Sequence, residues 1–218
     1  MKRQTHFSAK KLVLLAMLSA VSYLIVSLIR IPVVMFLNYE PKDVIITIGG
    51  FLMGPMASFI ISLVVSLLEM VTISQTGPVG ALMNLLSTCS FACAAAFVYK
   101  KRRTLSGAVL GLVCGTVAMV AVMLLWNWLI TPLYMGVTRE AVHGMLVPVF
   151  LPFNLLKAGL NSAFVLLLYK PLVTALRKTG LVSMKPEKSG SAKPGIYLLG
   201  ITLLVCCILL LLAFQGKL

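Results

Sequence analysis

Six stretches of this 218-residue sequence run for 18 to 22 residues with hardly a charge: about Leu12 to Ile29, Met56 to Ile73, Gly80 to Tyr99, Gly107 to Trp128, Val147 to Leu168 and Gly195 to Phe214. Roughly 20 apolar residues are what a helix needs to cross the hydrocarbon of a bilayer, where no water serves the backbone N–H and C=O groups. A seventh apolar segment, Asp43 to Met53, is about a dozen residues long, and Gly54-Pro55 divides it from the next as a turn would. Charged residues make up 11% of the chain and hydrophobic ones 60%, and the mean hydropathy is +1.05. Soluble domains are about a quarter charged. A soluble globular enzyme and a disordered chain are therefore excluded, and continuous rather than alternating apolar runs argue against a barrel. The sequence predicts an all-α integral membrane protein.

The chain carries 19 Lys and Arg against 5 Asp and Glu. In a soluble protein that imbalance would suggest nucleic acid, but here it follows the topology. With the N-terminus inside, Lys2, Arg3, Lys10 and Lys11, then Lys100 to Arg103, then Lys170, Arg177, Lys178, Lys185, Lys188 and Lys193 all fall on the cytoplasmic side, fourteen of the nineteen. Contact of these loops with anionic membrane lipid is compatible with the same arrangement, and no nucleic-acid partner is needed. The basic N-terminus ahead of Leu12 resembles a signal peptide, but the run to about Ile29 is too long for a typical h-region, so it reads as the first span. Ser183 to Pro194 is polar and rich in Lys, Ser and Pro, which divides the chain into a six-helix body (1–182), a linker (183–194) and a seventh C-terminal transmembrane helix (195–218).

Polar groups at membrane depth are costly and therefore functional candidates. Asn154, Lys157 and Asn161 recur at i, i+3 and i+7, on one helical face. That face either lines a pocket or bonds a neighbouring helix; Lys157, far from the cytoplasmic surface it would otherwise reach, favours the pocket. Asn127, between Trp126 and Trp128, offers an amide suited to reading a heterocycle edge, while the Trp rings themselves suit an interfacial belt. Asn84 is open between ligand contact and packing. The outer loop containing Tyr39, Glu40, Lys42 and Asp43 is a candidate lid, with Asp43 also placed to cap the short second helix. Glu69 is expected to pair with Lys157 or Lys42. Ala16 and Ala20 give a small-xxx-small face open to another helix. No HExxH, GxSxG or phosphate-cradling GxxxxGK[ST] is present, so neither metal nor catalytic residues are assigned, and any uphill transport needs an ion gradient or a separate ATPase. The cysteines, all within apolar runs, read as packing residues.

The ordered set Leu37-x-Tyr39-x-x-x-Asp43, Gly50-Phe51-x-x-Gly54-Pro55, Gly80-x-x-x-Asn84, Asn127 with Pro132-x-Tyr134, and Asn154-x-x-Lys157 resembles the riboflavin-specific substrate-binding subunits (S components, RibU type) of energy-coupling-factor (ECF) vitamin transporters, over about Lys10 to Leu176. The resemblance implies a six-helix fold in the bacterial cell membrane and a vitamin pocket near the outer face capped by the loop between helices one and two. It implies that Asn127, Asn154 and Lys157 hydrogen-bond riboflavin, surrounded by Asn84 and the loop of Tyr39 and Asp43, and that Ala16 and Ala20 dock a transmembrane coupling subunit driven by two ABC-type ATPases. Riboflavin is then transported ligand, not cofactor. The chain departs from the family's pattern at Glu69, where a basic residue is expected, and in the seventh helix. The alternatives are an S component for another vitamin and a stand-alone ion-coupled secondary transporter.

Overall fold

The computed structural model describes residues 9–35, 37–73, 77–178 and 194–214. The expected linker, apart from Pro194, lies outside the described residues. The elements are α1 (Ala9–Leu28), a hairpin of β1 (Ile31–Val34) and β2 (Leu37–Tyr39), α2 (Lys42–Met53), α3 (Pro55–Thr72), α4 (Gly77–Lys101), α5 (Leu105–Leu129), two short helices α6 (Thr131–Met135) and α7 (Arg139–Met145), a π-turn (Leu146–Phe150), α8 (Leu151–Lys178) and α9 (Pro194–Phe214). Among the described residues, five helical stretches are long and apolar enough to cross a membrane: Ala9–Leu28, Pro55–Thr72, Gly77–Lys101, Leu105–Leu129 and Arg139–Leu176. All seven expected helical segments are present. The sixth extends ten residues beyond Leu168, through Pro171.

Helix direction alternates, which gives the bundle two unlike ends. Tyr23 of α1 donates to Thr72 of α3 (2.8 Å) and Arg30 to the Ile73 carbonyl (3.3 Å), so these helices finish together beside the hairpin. At the opposite end the Gly54 turn lies by Lys100, and the hydroxyls of Tyr99 and Tyr169 meet at 2.7 Å. That end carries Lys10, Lys11, Lys100 to Arg103 and Lys178. Gly54, at φ 99°, closes α2 with a conformation disfavoured for other residues, and Pro55 opens α3 where its missing N–H is harmless.

Small residues allow the close packing that lipid-immersed helices depend on. A Cβ on Gly111 or Gly115 would stand 2.6 Å from the Ala95 or Phe91 carbonyl oxygen, so α4 and α5 cross almost backbone to backbone. The apolar core gathers Leu14, Leu18, Ile46, Ile61, Phe91 and Met119 along the bundle axis.

Two local features were not foreseen. The loop after α1 is an antiparallel hairpin, pairing Ile31 with Tyr39 and Val34 with Leu37, with Met35 at φ 51° in its turn. The chain entering α8 widens into a π-turn whose closing bond runs from the Leu151 N–H to the Leu146 carbonyl. Pro148 and Pro152 lie within and just beyond it; neither has an N–H for the carbonyl four residues earlier, so the i→i−4 ladder is already interrupted at both positions.

Candidate functional site

A cavity of about 310 Å³ opens at the hairpin end of the bundle. Apolar walls come from Val79, Met83, Met123, Trp126, Ile130 and Phe153, and the hairpin contributes Met35, Leu37 and Asn38. The polar groups lining it are Arg30, Glu40, Asn84, Ser87, Asn127, Thr131, Asn154 and Lys157, brought from six different elements or their joins. Binding sites for small organic solutes typically combine such apolar walls with a few placed polar groups, in volumes of about 300–1,000 Å³.

Asn127 and Asn154 are each oriented by the carbonyl one turn earlier in the chain. Asn127, fully buried, donates to the Met123 carbonyl (2.7 Å) and accepts from Thr131 (2.9 Å). Asn154 donates to the Phe150 carbonyl (2.7 Å), the last residue of the π-turn. One N–H of each amide is thereby committed, and the second N–H with the remaining oxygen capacity is what these residues offer to a solute. Asn84 donates to Glu69 (3.1 Å), which fixes its orientation too.

Two groups of paired charges underlie the cavity wall and reach its lining through Arg30, Glu40 and Lys157. Lys42, 1% exposed, bonds both oxygens of Glu69 at 2.5 and 2.6 Å and meets Glu40 at 2.7 Å, while Arg30 reaches Glu40 at 3.2 Å. Two cations thus balance two carboxylates and tie the hairpin's exit to α2 and α3. In the second group Asp43 accepts from Thr88 (2.7 Å) and Asn161 (3.3 Å) and faces Lys157 at 3.4 Å. Lys157 also donates to Ser87 at 3.4 Å. Its ammonium is therefore held by one carboxylate and one hydroxyl at the cavity wall. Burial costs of this size are tolerable only when every charge is paired.

Of the residues singled out in the sequence, Asn84, Asn127, Asn154 and Lys157 meet at this cavity. Tyr39 and Asp43 do not line it. Tyr39 is buried in a second apolar cluster with Val33, Phe150 and Leu160. Asp43 sits below the wall as the counter-ion of Lys157, and it is not the cap of α2: that position belongs to Pro41, with no side-chain cap, and Asp43 occupies the first turn. Asn161, though on the face of Asn154 and Lys157, lies deeper and bonds Asp43 instead of lining the cavity. Glu69 pairs with Lys42, not Lys157. Trp126 belongs to the cavity wall; Trp128, 42% exposed, faces outward. Ala16 and Ala20 are exposed on α1.

Sequence reasoning missed Arg30, Ser87 and Thr131 as lining residues. A signal existed for the last: Met123, Asn127, Ile130 and Thr131 share one face of a helix. Arg30 gave one too, as a lone cation at a helix end close to the acidic hairpin exit.

Burial by itself would raise the Glu40 pKa, but Lys42, Lys157 and Arg30 outweigh it and hold this carboxyl below its ordinary 4.5. A carboxyl lowered in the fold stabilises it fully above that ordinary value and loses the contribution as pH falls through the folded-state value. Protection factors of the hairpin amides, which correct for the slower intrinsic exchange in acid, are thus expected to fall below about pH 4.5. A Glu40→Gln variant should lack that acid-induced step.

An all-α membrane bundle with a solute-sized cavity of amides, an ammonium and apolar walls defines a multi-pass membrane protein that binds a small molecule. Residues 10–169 match the family described as "ECF transporter, substrate-specific component", and the chain belongs to it. The riboflavin transporter RibU of Staphylococcus aureus (strain TCH60) is 30% identical over 178 residues, 78% of this chain and 93% of that protein. The riboflavin transporter FmnP of Bacillus subtilis (strain 168) is 29% identical over 160 residues, 68% of this chain and 84% of that one. A solved structure described as "Structure and mechanism of the S component of a bacterial ECF transporter" superposes with a TM-score of 0.65 at 30% identity, over 77% of this chain and 98% of that one. The chain is accordingly a transport subunit, the substrate-binding component of an ECF transporter.

Proposed function

We propose that this subunit captures riboflavin in the hairpin-end cavity, at the outer face of the membrane, and releases it inward when docked on an ATP-driven coupling module. The observation that carries the reading is the convergence of Asn84, Asn127, Asn154 and Lys157 on one cavity whose other walls are Met123, Trp126, Ile130 and Phe153. Amides and an ammonium complement the donor–acceptor edge and hydroxyls of a flavin, and the apolar walls suit its ring. The names of the relatives point to the same solute. The basic end would face the cytoplasm by the positive-inside rule, with the N-terminus inside and the hairpin outside.

In this reading the chain has no ATPase site or cofactor of its own; a transmembrane coupling subunit and two ABC-type ATPases supply the drive. Ala16 and Ala20 support a docking role because they are exposed and small, at the i, i+4 spacing that admits a close helix partner. Ala16→Leu combined with Ala20→Leu is expected to leave riboflavin affinity unchanged and abolish uptake by cells expressing the coupling module. Normal uptake in that variant would remove these residues from the docking face.

The direct test is titration of purified protein. Riboflavin fluorescence should be quenched at one-to-one stoichiometry with a dissociation constant near nanomolar, about −12 kcal/mol, as scavenging a trace vitamin demands. Binding of thiamine or biotin with no response to riboflavin would reassign the subunit to another vitamin. Gradient-driven uptake in vesicles free of ATPases would instead favour a stand-alone secondary transporter.

A further inference from the structure

The family match ends at residue 169, well before α9, yet this helix is integrated with the site. It runs antiparallel along α8. A Cβ on Gly159 would lie 2.7 Å from the Cys207 Sγ, and one on Gly200 would lie 3.2 Å from Leu167, so the two helices approach closely at both points. Cys207, 5% exposed, belongs to one buried apolar cluster with Val33, Leu37, Tyr39 and Phe153, against which Leu203, Leu204 and Leu211 also pack. α9 also touches β1 itself. Leu37 and Phe153 belong both to this cluster and to the cavity lining. α9 therefore stands one side chain behind the cavity wall and directly behind the hairpin that covers it.

The hairpin is held in two different ways. Its exit is tied by the ion pairs of Glu40 with Arg30 and Lys42. Among the described residues its buried side has no such ion pair, and the Tyr39 hydroxyl is enclosed without a hydrogen-bond partner. Apolar packing holds Tyr39 there, and α9 forms part of the surface against which it packs. A solute under the hairpin leaves when the hairpin lifts, so whatever backs the hairpin also governs residence time.

We infer that α9 is a brace for the hairpin cover, with Cys207 and its neighbouring leucines as positioning residues that slow release of the bound solute. The residence-time part rests on the cavity being the riboflavin site; the bracing part does not. Two readouts on the full-length chain separate them. The first is hydrogen exchange of hairpin amides in ligand-free protein, and the second is the rate of riboflavin release in a chase experiment. Cys207→Phe overfills the contact, and Cys206→Phe places the same ring on the adjacent exposed position.

For Cys207→Phe, hairpin exchange and riboflavin release should each accelerate roughly three- to thirty-fold, the range typical of mutations that modulate coupling through packing. Cys206→Phe should match wild type in both. Leu203→Ala, a milder change to the same cluster, should act in the same direction and covers the case in which the ring prevents folding. A lowered melting temperature with unchanged hairpin exchange in Cys207→Phe and Leu203→Ala would overturn the brace. Faster exchange with unchanged release would overturn its control of residence. Faster exchange in a protein that ignores riboflavin would uphold the brace and reject the flavin reading.

Discussion

Replacing Lys42 with methionine is expected to destabilise the protein by about 3–5 kcal/mol, the cost of leaving buried charge uncompensated. The ammonium is 1% exposed and lies against two carboxylates, Glu40 and Glu69. Without it Glu69, equally buried, keeps Asn84 and a cation no nearer than the Arg30 guanidinium at 3.9 Å. At roughly 2–4 °C per kcal/mol for a chain of this size, the melting temperature in detergent should fall by roughly 6–20 °C. The double variant Lys42→Met with Glu69→Met should recover most of the loss, since an apolar pair of similar volume leaves one balanced pair, Arg30 with Glu40, in place. An unchanged melting temperature in the single variant would show that the network is not what holds α2 to α3.

The second large effect concerns binding. Lys157→Ala should weaken riboflavin affinity by about 1–3 kcal/mol, or roughly 5- to 160-fold, read as a shift in the fluorescence titration. The residue has two tasks. It presents an ammonium to the cavity and neutralises Asp43, which would keep only the Thr88 and Asn161 donors. Asn154→Ala falls in the same range, because it removes an amide already aimed by the Phe150 carbonyl. Wild-type affinity in both variants would mean that this face of α8 packs rather than binds.

The spans were legible in the sequence because each is a continuous apolar run of bilayer length, and the Gly54-Pro55 turn because those two residues carry their backbone preference with them. Asn127, Asn154 and Lys157 stood out for an energetic reason: hydrocarbon tolerates such groups only when something satisfies them. What satisfies Asp43 and Asn161 was not legible, and for Glu69 two candidates, Lys157 and Lys42, stood open until the fold chose Lys42. Their partners lie 15 to 118 residues away in the chain, and helical periodicity reports the face a residue occupies but not its depth or what stands opposite. Asn161 shares the face of Lys157 yet lies a turn deeper, against Asp43. The hairpin escaped notice for a different reason. Strands of four and three residues, one bearing Pro32, give too short an alternation to distinguish from a loop, and their pairing depends on packing against α8 and α9.

The central claim is that the cavity under the hairpin is where the transported vitamin sits. A structure determined with riboflavin bound tests it most directly. The flavin ring should lie between the carboxamides of Asn127 and Asn154, within hydrogen-bonding distance of these amides and of Lys157, against Trp126 and Phe153 and beneath Leu37. A flavin found elsewhere on the bundle, with this cavity filled by water or collapsed, would contradict the account.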